Sequence, residues 1–383
     1  MRTSLTRRAA GLTLVAALAV TGAACSPPSS ESSTSSSDSG ASVDAATATS
    51  AEDFGGMDAL VEAAKAEGEL NVIALPPDWA NYGGIISAFE DKYGITINSA
   101  QPDASSADEI AAADRLKGQS SAPDVFDLGA SVASANTDKF APYTVETFGD
   151  IPDNLKASDG TWVNDYGGYM SVGYDPTKVP APTSLADLLG PDYQGKVALN
   201  GDPTKAGAAF AAVQMASVAN GGTVEDVAPG VDYFAKLKSA GNLIPVDPTP
   251  ATIESGQTPV VFDWDYLNAG QASKMQGTME WRIFVPSDAV VGGYYVQAIS
   301  KDAPHPAAAR LWQEFLYSDE GQNLWLEGGA RPVRMEAMTT AGTIDEALAN
   351  ALPQVTGDPV IPTEDQNTKA KEYLATSWAN AVG

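Results

Sequence analysis

The chain has 383 residues, 44% of them hydrophobic and 19% charged, an ordinary globular composition in a chain longer than one hydrophobic core usually supports. Its net charge of −27 argues against nucleic acid as a partner, because phosphates demand a basic face. One cysteine, Cys25, and one histidine, His305, exclude an intrachain disulfide and a zinc site built from several Cys or His ligands.

In chain order, Arg2, Arg7 and Arg8 precede the apolar run Gly11–Val20, which is too short for a stable membrane span. Small residues Thr21-Gly22-Ala23-Ala24 then lead to Cys25, so residues 1–25 read as an export signal. The arrangement resembles a bacterial lipoprotein signal, although Gly22 stands where that pattern usually has Leu. The resemblance implies a lipid on Cys25, and with it a cell-surface protein anchored to the cell membrane from outside the cytoplasm. Residues 26–52 are mostly Ser, Thr, Ala and Asp without one aromatic residue, so a flexible tether is expected over 26–54.

The body then alternates helix and strand. A helix is expected over Met57–Glu67, a strand over Leu70–Leu75, a helix over Gly84–Tyr93 stopped by Gly94, and a strand over Ile95–Asn98. A polar helix over 106–119 and a buried strand over Asp124–Leu128 follow, the strand ending in Gly129-Ala130-Ser131. This order predicts an α/β fold of two lobes, each a mostly parallel sheet flanked by helices. The Gly-rich piece Trp162–Asp175 reads as the first crossing between lobes, and Ser184 with Asp187 as the cap of a short helix. After the strand Val197–Leu199, Pro203 suits a first helical turn, which puts Asp202 at the cap and Lys205 inside that turn. A helix over Gly230–Ala240 and a strand over Leu243–Val246 come next.

Val260-Val261-Phe262 then ends abruptly in Asp263-Trp264-Asp265-Tyr266, the pattern of a buried strand delivering polar and aromatic groups to a cleft. Two carboxylates flanking an indole suit a ligand with a positive centre. In an extended segment Asp263 and Asp265 share one face, which also admits two-carboxylate glycosidase chemistry. Strands over Trp281–Pro286 and Gly292–Ser300 return the chain to the first lobe, and Pro306 opens an amphipathic helix bearing Ala309, Trp312, Phe315 and Leu316. His305, between two prolines, reads as a loop residue entering that helix rather than a catalytic base.

Two segments carry a wider resemblance: Asp302–Gln322 and Pro182–Lys196 are similar to the late helix and the inter-strand helix of two-lobed substrate-binding proteins of bacterial ABC importers, the type that binds polyamines, iron and phosphonates. The resemblance spans about residues 69–340. It implies lobe 1 over 55–168 and 286–383, lobe 2 over 169–285, and a solute held between them. It further implies delivery to a cognate permease with its ATPase, with no cofactor, no catalysis and a monomeric state. Carried over by position, Trp79 and Tyr82 match the W-x-x-Y pair of polyamine binders. Gly129, Ala130 and Ser131 supply backbone and hydroxyl groups; Asp202, Thr204 and Lys205 follow, then Asp263, Trp264, Asp265 and Tyr295. Lys205 departs from the pattern, since polyamine binders tend to have an acid there. A lysine at a helix start favours an anion, so a polyamine-like cation, an amine/acid zwitterion and a phosphonate or sugar phosphate all remain open. Tyr294-Tyr295 superficially resembles the tyrosine pair of ferric-iron binders, but neighbours in a strand face opposite ways.

Overall fold

The computed structural model describes residues 44–353 and 355–383; the signal at 1–25, Cys25 and the tether up to residue 43 lie outside the described residues. The chain opens with helix α1 (Met57–Glu67), closed by Gly68 in the left-handed conformation, and strand β1 (Glu69–Ile73). Helix α2 (Tyr82–Tyr93) ends at Gly94, where φ of +69° is tolerated because glycine lacks a Cβ. Strand β2 (Thr96–Ala100) pairs in parallel with β1, and helix α3 (Ser106–Leu116) starts on a capping box made by Ser105 and Asp108. Strand β3 (Val125–Gly129) runs directly into the short helix α4 (Ala130–Ser134), and β4 (Phe140–Ala141) follows.

Strand β5 (Val163–Tyr174) is the long crossing piece, with β6 (Val197–Leu199), helices α5 (Gly207–Ala219), α6 (Ala228–Ser239) and α7 (Pro250–Glu254), and strand β7 (Val260–Trp264) beyond it. Helix α8 (Asp265–Lys274), β8 (Arg282–Phe284), β9 (Gly292–Ser300), α9 (Pro306–Leu316), α10 (Asp319–Glu327) and β10 (Arg331–Pro332) come next. The chain ends in α11 (Met335–Ala341), α12 (Glu346–Ala351) and α13 (Glu364–Ala381).

One sheet has the order β3-β9-β5-β7-β6. The same strand, β5, pairs with β9 through its first part, Val163–Tyr169, and with β7 through its second, Met170–Tyr174. The sheets are mixed rather than mostly parallel. β1 with β2 and β6 with β7 are parallel, but β5 and β9 run antiparallel to their neighbours because each carries the chain from one half to the other. Of the two strands expected to return the chain, only β9 joins the half bearing β3; β8 pairs with Val172–Tyr174 at the far end of β5. Leu243–Val246 forms no strand beyond a single bridge from Leu243 to Val197.

Helix α1 packs on α9, whose Trp312 is fully buried with Phe89 at 5.1 Å and Phe315 beside it. Helix α5, apolar all round, is sandwiched between the sheet and α6. Two terminal pieces depart from expectation. Residues 44–54, expected within the tether, fold onto the body because the buried guanidinium of Arg310 needs acceptors. The carbonyls of Ala46 and Ala48 supply them at 3.0 and 2.7 Å. At the other end, α13 packs on α4 and on α6, where Trp378 meets Phe234, and its Asn367 accepts from Gln214 of α5.

The crossing strand sets a stability test. A Cβ on Gly167 would fall 2.9 Å from the Tyr294 ring and closer still to the Gly293 carbonyl. Gly167→Ala should lower unfolding free energy by about 1–3 kcal/mol in urea titration. Gly270→Ala, in open space on α8, should instead raise it by up to about 1 kcal/mol.

Candidate functional site

The loops that leave the sheet on one side enclose a cavity of about 640 Å³. Its wall on the β1–β3 side comes from the loop after β1, with Asp78 and Trp79, from Asp103 to Glu109 around the start of α3, and from Asp127 of β3. The facing wall comes from Asn200–Asp202 and Lys205–Ala208, Asp247–Pro250, Asp263 at the end of β7, and α8 through Leu267, Asn268, Gly270, Gln271 and Lys274. Tyr295 of β9 lines this cavity and also a second, smaller one of about 300 Å³. That smaller cavity is bordered by Ser131, Phe210, Trp264, Tyr294 and residues 361–364. Between them the chain closes in: a Cβ on Gly129 would lie 3.1 Å from the Cα of Gly207.

The larger cavity is acidic. Asp78, Asp103, Asp108, Glu109, Asp127, Asp202, Asp247 and Asp263 line it, against Lys205 and Lys274 alone among its lysines and arginines. Both ammoniums already have partners: Lys205 stands 3.7 Å from Asp202, and Lys274 lies 2.6 Å from Asp78 on the opposite wall. Three of these carboxylates are buried: Glu109, Asp127 and Asp263. Asp263, 9% exposed, accepts from Asn200 Nδ2 at 2.9 Å and from the Trp264 N–H at 2.8 Å; burial nevertheless pushes its pKa up to about 7. Asp127, 6% exposed, accepts from the Tyr166 hydroxyl at 3.0 Å through Oδ2, while its Oδ1 has no partner. Burial raises its pKa, and buried Asp165 and Glu109 are raised too, first by burial and then by the charge of Asp127.

The expected site residues divide. Trp79, Asp202, Lys205 and Asp263 line the larger cavity, Ser131 and Trp264 the smaller, and Tyr295 both. Trp79 is half-buried; its indole N–H donates to Tyr166 Oη at 2.7 Å, and its ring meets Tyr295 edge-on at 5.6 Å. Tyr82 lines neither cavity. As the first residue of α2 it turns inward, 0% exposed, edge-on to Trp325 and accepting from Gln297. Asp265 likewise lines neither cavity. The chain turns into α8 directly at this residue, so it does not share a face with Asp263; its carboxylate pairs with Arg331 at 2.7 Å and accepts from the Tyr169 and Tyr266 N–H groups. Nor does Lys205 sit on a helix start. Asp202 closes a turn onto the Thr204 N–H and hydroxyl, which removes Thr204 from both linings, and α5 begins only at Gly207. Lys205 is 64% exposed at its side chain.

Several lining groups escaped the sequence reading. Asp127 had a signal, an acid inside the apolar strand Val125–Leu128. Glu109 sat in a helix read simply as polar, yet its carboxylate turns inward to accept the Asp127 N–H at 3.1 Å. Gln271 and Lys274 fall beyond the strand end and become visible only once α8 folds back along the cavity.

Two tests follow from the buried groups. Arg331→Met would leave the Asp265 carboxylate buried and unpaired, and should destabilise the protein by about 3–5 kcal/mol in denaturant titration. For Asp263 the folded pKa lies above the roughly 3.9 of an unfolded aspartate. Its contribution to stability is therefore complete below that value and is lost as pH rises through about 7. Asp263→Asn should melt above wild type at about pH 8, with the gap closing towards about pH 5.

The family of bacterial extracellular solute-binding proteins matches residues 122–356, more than half of the chain. No curated protein sequence matches it. Among solved structures the chain is similar to iron-bound HitA from Pseudomonas aeruginosa, with a TM-score of 0.58 and 19% identity over 82% of this chain and 99% of that one. It is similar to AfuA from Actinobacillus pleuropneumoniae, with fructose-6-phosphate bound, at a TM-score of 0.61 and 16% identity over 82% and 98%. A Listeria monocytogenes chain assigned to spermidine/putrescine ABC transport gives 0.59 and 11% over 81% and 99%. At these identities the likeness shows the fold, the two-lobed α/β architecture of periplasmic binding proteins. By the family match, this chain belongs to the bacterial extracellular solute-binding proteins.

Proposed function

We propose that the protein captures a small, positively charged, amine-bearing solute in the larger cavity and presents it, without turnover, to an ABC permease and its ATPase. The observation that carries this reading is the charge balance of the lining, where carboxylates outnumber the two lysines and each lysine is already paired. The cavity volume of about 640 Å³ falls within the roughly 300–1,000 Å³ of small-molecule sites. An ammonium placed against Asp127 would pair with its carboxylate, and Trp79 and Tyr295 offer ring edges and faces alongside. The anionic alternative loses its main support with Lys205, which precedes the helix and leans on Asp202. For iron, the described residues offer no cluster of three or more His, Cys, Asp or Glu, and support would have to come from tyrosines. On this reading the halves that share β5 close as lobes around the solute, and Cys25 anchors the whole to the membrane from outside.

Calorimetric titration with putrescine, spermidine and fructose-6-phosphate tests the proposal. The amines should bind and the phosphate should not; the reverse order would overturn it. Because Asp263 titrates near 7, amine affinity should rise as pH rises through that value and ionises the carboxylate. Asp127→Asn combined with Asp263→Asn should weaken amine binding by about 100-fold or more, since each substitution removes a charge that a buried cation needs.

A further inference from the structure

Helix α8 gives the larger cavity a wall of different chemistry from its acidic loops. Three side-chain amides line the cavity: Asn200, Asn268 and Gln271. Two of them are committed to the protein. Asn200 donates to Asp263 Oδ2 at 2.9 Å. Asn268 donates to the Ser171 hydroxyl at 2.9 Å and accepts from Trp281 Nε1 at 3.1 Å. Gln271 differs: it is 7% exposed, and its Nε2 has no hydrogen-bond partner. One helical turn on, Lys274 lies on the same side of α8 and reaches across to Asp78 at the rim.

A buried amide left without a partner costs roughly 1–3 kcal/mol, so a group that supplies the partner binds better than one that does not. Asp127 Oδ1 lacks a donor and Gln271 Nε2 lacks an acceptor, and both residues line the same cavity. Building on the amine reading above, we propose that the solute carries an oxygen acceptor as well as its amine, and that Gln271 reads this acceptor. A simple polyamine satisfies Asp127 but offers protonated nitrogens, which have no lone pair for an N–H. A hydroxylated amine or an amino acid satisfies both. Gln271 is thus the specificity-determining residue that separates oxygen-bearing amines from bare ones.

The test is calorimetric titration of putrescine, its charge-matched analogue 2-hydroxyputrescine, and ornithine into the purified protein and into Gln271→Leu. Leucine keeps the volume and removes the unpartnered donor, so the variant is expected to fold; its melting temperature checks this. Wild type should bind 2-hydroxyputrescine about tenfold or more tighter than putrescine, and Gln271→Leu should erase that preference. Equal affinities in wild type, or a preference that survives in Gln271→Leu, would overturn the proposal while leaving the amine reading intact. Binding of none of the three probes would overturn both.

Discussion

The structure depends on one strand serving two masters. Strand β5 pairs with β9 through its first part and with β7 through its second, so the halves of the molecule share a backbone ladder instead of meeting only through side chains. Hydrogen bonding forces this sharing, because a strand that crosses between two packed bodies must find partners on both sides of the crossing. It also sets where the site lies. The loops from β1 and β3 on one side, and from β6 and β7 on the other, are brought face to face across the crossing, and the larger cavity is the space between them.

That cavity concentrates the acidity of the chain at one place, and burial turns acidity into something more selective than negative charge. An exposed carboxylate such as Asp202 is screened by water and neutralised in part by Lys205. Asp263 and Asp127 are removed from water, and burial raises their pKa values, so their charge answers to pH and to their surroundings.

Much of this was legible in the residues. The helix 57–67, the strands 197–199 and 292–300 and the crossing at 162–175 followed from periodicity and from where glycine and proline fall. Misreadings came where a local pattern permits two geometries. Asp263 and Asp265 share a face only if the chain stays extended, and it turns into α8 instead. Asp202-Pro203 can open a helix or close a turn, and the side-chain bond to Thr204 selects the turn. Tyr82 sits three residues after Trp79 in a familiar spacing, yet the start of α2 rotates it into the core. Gln271 carried no signal at all, since an unpartnered amide is defined by what tertiary packing fails to place beside it.

The segment before α13 carries a mechanical implication. Val360 bridges to Val291 beside the start of β9, and α13 then lies against both α4 and α6. The covalent chain thus passes between the halves at β5, at the approach to β9, and again through this strap. A joint made of one pass can swivel about any axis, whereas three passes side by side leave few degrees of freedom. Torsion and sliding would shear the bridge at Val291, so the softest remaining mode is a simple bend about the line along which the three passes lie.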